Sequence, residues 1–251
     1  DATDPSIDPI TITNATANDF TFTLIRGHNY SVAASNPGYF PASIDIMTEM
    51  VGGVKITKNI YLKRDPVGQL DNMLPLALYF DNDHPNPRTV ATTTRRTYTE
   101  TYERYLRRRG TFMNRCKSPD NMELFFNNDV IGGYDKLSLF FSKLLPTLEK
   151  GISFEITVKG YASPLSQTEY NLILGQRRIS SMMNEIREYQ DGALMPYIES
   201  GQLIVTDISY GEELAPEGIS DSRSNTPESI YSVQASRERR VEIIEVTRQQ
   251  N

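Results

Sequence analysis

The chain has 251 residues and a formal net charge of −6, from 26 Lys plus Arg against 32 Asp plus Glu. That length suits one large or two small domains, and the mild acidic excess argues against bulk nucleic-acid binding. A single cysteine, Cys116, excludes an internal disulfide framework and a cysteine-based zinc site, and two histidines leave little for His-rich metal sites.

Residues 1–64 read as all-β. Alternating runs at 10–13, 20–24, 30–34 and 56–62 are separated by turn-formers at 18–19, 26–29, 36–38 and 52–53, the pattern of a small sandwich. Residues 65–73 read as a linker. A buried strand over 74–80 then ends in the polar cluster Asp81-Asn82-Asp83-His84-Pro85. Helical periods follow at 98–109, at 119–130 with Ser118 as cap and Pro119 in the first turn, and at 134–150, where Gly151 stops the helix and Pro146 should bend it. Residues 152–158 alternate as a strand. Ser166 and Glu169 match a capping box for a long helix whose stripe is Leu172, Ile179, Met182, Met183 and Ile186. A strand over 203–209, a polar loop over 211–230 and a last strand over 241–246 complete the chain. The order implies an α+β fold in two parts: an N-terminal all-β sandwich over 1–64, then a mixed sheet packed by helices over 74–251. No run of about 18 apolar residues is present, so no membrane-spanning helix is predicted. The chain begins at Asp1 with neither a Met nor a signal-peptide pattern, which reads as a mature or trimmed product.

Residues 160–178 carry the most chemistry. A strand ends at Gly160, a short loop turns, and a helix begins whose first turn favours an anion. Asn171, Leu174 and Arg178 are spaced i, i+3, i+7 and share a face, and the Arg178 guanidinium offers a fork for a carboxylate. Arg178 paired with Glu169 or Glu185, or simply solvated, is the competing reading.

Two sets of residues resemble known families. Phe20-Thr21-Phe22-Thr23-Leu24, Gly27-His28-Asn29-Tyr30, Gly38-Tyr39-Phe40 and Ile60-Tyr61-Leu62-Lys63 resemble the non-catalytic, transthyretin-like regulatory domain attached to some carboxypeptidases. Phe80-Asp81-Asn82-Asp83, Gly160-Tyr161-Ala162-Ser163-Pro164, Tyr170-Asn171, Leu174-Gly175-Gln176-Arg177-Arg178 and Glu238-Arg239-Arg240-Val241-Glu242 resemble, in order, the OmpA-like peptidoglycan-binding domain, most closely its Bacteroidota branch. Residues 95–130 then read as a helical insertion. The resemblance implies a non-catalytic protein of the periplasm that binds the diaminopimelate residue of the peptidoglycan stem and ties an outer-membrane or secretion complex to the wall. It puts Arg178 in the arginine role, with Ser163, Asn171, Leu174 and Tyr161 lining the site, Arg240 as a second cation and Asp83 at the strand end. Ser163 stands where the family carries the aspartate that meets the ligand's ammonium. A structural subunit that keeps this fold without binding peptidoglycan is the alternative.

No cofactor or metal is implied. Asp81, Asn82, Asp83 and His84 read as a side-chain-bonded turn rather than a Ca²⁺ loop, since no spaced carboxylate completes a shell. His84 beside Asp81 and Asp83 is the sole acid–base candidate, and no nucleophile elbow, zinc-protease motif or phosphate loop occurs. The eight basic residues over 95–117, against Glu100 and Glu103, read as a solvated face or a contact for an acidic partner such as the loop at 212–228.

Overall fold

The computed structural model describes residues 1–13, 19–48 and 55–249 and has mixed α+β architecture. The chain divides into two compact units, Asp1–Gln69 and Leu70–Asn251.

In the first unit, β1 (Asn29–Ala34) pairs antiparallel with β2 (Ala42–Met47), with Tyr30 opposite Ile46 and Val32 opposite Ile44. A single bridge joins Tyr39 to Arg64. The predicted strands at 10–13, 20–24 and 56–62 do not form, so the second sheet of a sandwich is not seen among the described residues. The expected turn at 52–53 and Asn18 of the 18–19 turn lie outside the described residues. The reason is visible in exposure. Ile10, Phe20, Ile56 and Tyr61 keep 68%, 47%, 45% and 82% of their surface open, so alternation there has no apolar face to pack upon. The stretch read as a linker contains a short helix, α1 (Pro66–Asp71).

The second unit begins with β3 (Leu76–Tyr79). The helical stretch follows as α2 (Tyr98–Arg107), α3 (Arg109–Arg115) and α4 (Pro119–Leu124), then a wider π-helical segment Phe125–Ile131, then α5 (Gly132–Glu149), which runs through Pro146. After β4 (Phe154–Tyr161) come α6 (Thr168–Glu188), α7 (Met195–Glu199), β5 (Leu203–Gly211), α8 (Thr226–Ser229), α9 (Val233–Arg237) and β6 (Arg240–Arg248). The sheet order is β3-β6-β4-β5. β6 runs antiparallel to both β3 and β4, whereas β4 and β5 are parallel and joined through α6, as a parallel pair requires.

Alternation builds the core. Leu76, Leu78, Phe154, Ile156, Val158, Val241 and Ile243 are buried, and α5 lies against β3 while α6 lies against β4 and β5. The helical stretch is part of this core: Tyr98, Tyr105, Phe112 and Phe126 are fully buried, and the Tyr102 and Tyr134 rings stack with centroids 4.1 Å apart. One local expectation is corrected. The Ser166–Glu169 capping box is not formed, because Gln167 is the N-cap and α6 starts at Thr168, one residue later than a Ser166 cap requires. The box is at α2 instead, where Thr97 Oγ1 accepts from Glu100 N–H and the Glu100 carboxylate accepts from Thr97 N–H.

Candidate functional site

The site lies where β3, β4 and α6 meet. Gly160 at the end of β4 abuts Gly175 of α6: a Cβ on Gly160 would meet the Gly175 carbonyl oxygen at 2.6 Å. This close approach lays the first half of α6 beside the loop after Tyr161 and the loop after Phe80.

Arg178 is fully buried. Its Nε donates to the His84 carbonyl at 3.1 Å and its Nη1 to the Tyr161 carbonyl at 2.6 Å. The guanidinium lies 5.6 Å from the centre of the Phe80 ring. Its Nη2 has no partner. Burial, together with the positive charges of Arg239 and Arg177, pushes its pKa down to about 9 despite Asp83 and Asp81. Glu185 does not pair with it, accepting instead from the Thr99 N–H and hydroxyl, each at 2.7 Å.

The other residues singled out from the sequence divide into two sets. Tyr161, the last residue of β4 and the source of the carbonyl that holds Arg178, is buried, as is Ser163 in the loop that follows, and Leu174 is buried one turn before Arg178 on α6. Asn171 is also buried, but its amide is already used, donating to the Ser166 carbonyl at 3.2 Å and to the Glu212 carboxylate. Arg240 stacks 4.2 Å above the Tyr161 ring and is held by Glu242 at 2.7 Å and Glu238 at 3.1 Å. It is an engaged cation, and Tyr161 beneath it is pushed to about 12 by burial and by Glu242. Asp83 sits at φ 59° and accepts from the Tyr170 hydroxyl and the Arg88 N–H.

Three further arginines shape the site, and none was singled out from the sequence. Arg177, fully buried, donates through Nε to Pro85 O at 2.7 Å, through Nη1 to Thr89 O and Ala91 O at 2.8 Å each, and through Nη2 to the Tyr170 hydroxyl at 3.3 Å. Ser180 Oγ, at i+3, accepts from the Thr94 N–H at 3.1 Å, and Asn184, at i+7, donates to the Thr94 and Arg96 carbonyls at 2.8 and 3.1 Å. One face of α6 thus supplies donors to the carbonyls of a loop that has no ladder of its own. Arg108, at the end of α2, pairs with buried Asp81 at 2.7 Å. Buried Arg239 donates through Nη2 to Ile230 O at 2.8 Å and to Ser236 Oγ at 2.7 Å, while its Nε and Nη1 have no partner. The signal for Arg177 was its adjacency to Arg178 on a helix that packs on two sides.

His84 lies 3.8 Å from Asp81 through Nε2, and burial lowers its pKa; the charges of Asp81 and Asp83 oppose this, and those of Arg104 and Arg108 add to it. A buried imidazole with a depressed pKa stabilises the fold in its neutral form, so that contribution is present above its unfolded value, about 6.5, and is lost as pH falls below it. Thermal unfolding measured from pH 7 down to pH 5 should show a falling midpoint, and His84→Asn should flatten the slope. An unchanged slope in the variant would show that His84 does not carry it.

Among the described residues no group of three or more His, Cys, Asp or Glu could hold a metal, and no helix is long and apolar enough to cross a membrane. Two surface cavities of about 550 and 560 Å³ lie away from Arg178, one against Cys116, Asn128 and Tyr231 and one against Asn86, Thr94 and Arg96. Comparison of the chain with protein-family models, curated proteins and solved structures returns no match.

Proposed function

We propose that the chain is a non-catalytic binding module of the bacterial cell envelope. In this reading the second unit is an OmpA-like domain, and Arg178 receives a carboxylate of the diaminopimelate residue in the peptidoglycan stem. The first unit, read as a regulatory-like β-domain, serves as a spacer or docking piece. The whole ties an outer-membrane or secretion complex to the wall from the periplasmic side. The ordered motifs from Phe80 to Glu242 support the assignment. The observation that carries it is Arg178: a fully buried guanidinium, fixed by two carbonyls, with Nη2 left without an acceptor. A buried donor without a partner costs about 1–3 kcal/mol, more when charged, and a ligand carboxylate would supply the missing acceptor.

A second reading is a structural subunit of an envelope assembly that keeps the fold without the ligand. It is favoured by the engagement of Asp81 with Arg108 and of Asn171 with Glu212, which leaves both occupied within the chain. Co-sedimentation with purified sacculi separates the two. The first reading expects the protein to pellet with sacculi and Arg178→Gln, checked to be folded by thermal unfolding, to stay in the supernatant. Equal pelleting of the two proteins, or none by either, would favour the second.

A further inference from the structure

The surface cavity beside Cys116, about 550 Å³, has the size of a small-ligand cleft and two walls. One wall is α4 with the π-helical segment after it, where Asn121, Leu124, Phe125 and Asn128 stand at i, i+3, i+4 and i+7. The other is the stretch from α8 into α9, which contributes Pro227, Tyr231 and Gln234. Two ion pairs cross between the walls, Lys117 with Glu228 and Arg237 with Asp129 at 2.9 Å. Lys117 precedes Asn121 and Asp129 follows Asn128, so the pairs stand at the two ends of the first wall. Together they match every charged side chain of the lining with its opposite.

The polar groups left over are uncharged. No hydrogen bond among the described residues uses the side-chain amides of Asn121, Asn128 or Gln234. Each amide donates and accepts, which is the pairing that a peptide group offers in return. Asn121 and Asn128 lie about 10 Å apart along the helix, the reach of about three residues of extended chain. Between them Leu124 keeps 56% of its surface open, an apolar step for a side chain of the ligand. The two rings of the lining are buried, Phe125 against Tyr79 and Tyr231 against Phe112 and Arg115, so a sugar finds no ring face to stack upon. Asn128 and Asp129 both line the cavity from the π-helical segment, a form of helix frequently found at functional sites.

We propose that this groove binds an extended, uncharged peptide segment of a partner protein, held through its backbone by the three amides. The groove lies away from Arg178, and the proposal stands whether or not the chain binds peptidoglycan.

Titration of the full chain with blocked tetrapeptides, followed by NMR at the side-chain NH₂ resonances of Asn121, Asn128 and Gln234, tests this. Acetyl-Ala-Leu-Ala-Ala-amide is the neutral probe. Acetyl-Ala-Glu-Ala-Ala-amide and acetyl-Ala-Lys-Ala-Ala-amide are its charged counterparts, and N,N′-diacetylchitobiose is a neutral sugar. The expected result is a saturable shift of all three resonances with the neutral peptide, binding about threefold or more weaker with either charged peptide, and no shift with the sugar. Asn128→Leu keeps the size of the side chain and loses its hydrogen bonds. It is expected to weaken the neutral peptide about tenfold while the thermal midpoint holds. No saturable shift with the neutral peptide, equal binding of neutral and charged peptides, a response to the sugar, or undiminished affinity in Asn128→Leu would each overturn the proposal.

Discussion

Arg177→Met is expected to destabilise the second unit by about 3–5 kcal/mol, the cost of breaking a buried, hydrogen-bonded charge site. Methionine fills a similar length but donates nothing. Pro85 O, Thr89 O and Ala91 O each lose their guanidinium partner, and Asp83, 3.9 Å from Arg177, loses a neighbouring positive charge. The loop after Phe80 has little regular structure, so no ladder replaces those bonds. Urea denaturation measures the loss, and the control is Arg187→Met on the exposed end of the same helix, where the side chain donates to Asn184 Oδ1 at 3.3 Å. The control is expected within about 0.5 kcal/mol of the parent. A loss below about 1 kcal/mol for Arg177→Met would mean that the loop is held by other contacts.

Gly160→Ala is expected to cost about 1–3 kcal/mol through overpacking against backbone, which cannot rotate away. The added methyl would sit 2.6 Å from Gly175 O and 2.9 Å from Ile179 Cδ1. To relieve this, α6 must move off β4, and the Arg178 bond to Tyr161 O must lengthen with it. The same substitution should therefore weaken carboxylate binding as well as lower the urea midpoint. Gly110→Ala is the matched control: it lies in α3 with no atom within 4 Å of the new methyl, and is expected to be neutral or stabilising by about 0.5–1 kcal/mol. Equal effects at the two positions would show that close packing of α6 on β4 is not what Gly160 provides.

These two residues also show how far the sequence could be read. Long periodic helices were legible because a stripe such as Leu137, Phe140, Phe141, Leu144 and Leu148 has one interpretation, and all five are buried. Arg178 was legible because loop, helix face and final strand pointed to one place. Arg177 was not: it stands about 100° around the helix from Arg178, off the face that carries Asn171, Leu174 and Arg178, so that its adjacency alone did not mark it. The loop over 81–97 covers that side, and nothing in its composition says so. Arg108 was hidden for the same reason, since its value lies in reaching Asp81 across 27 positions of chain. In the first unit the period-two pattern held at 30–34, which lies in β1, and misled at 10–13, 20–24 and 56–62, because alternation of Thr with Ile or Phe is also compatible with an extended segment outside any sheet. The capping-box reading failed on a four-residue match: Ser166-Gln167-Thr168-Glu169 and Thr97-Tyr98-Thr99-Glu100 offer the same pattern, and only the second places its first residue at the N-cap of a helix.

The account centres on the Nη2 atom of Arg178, and a crystal structure of the chain grown with diaminopimelate tests it most directly. The account predicts a carboxylate within hydrogen-bond distance of that atom, with the Arg178 bonds to His84 O and Tyr161 O retained. Diaminopimelate bound elsewhere, or Nη2 turned onto a protein acceptor with no carboxylate near it, would contradict it.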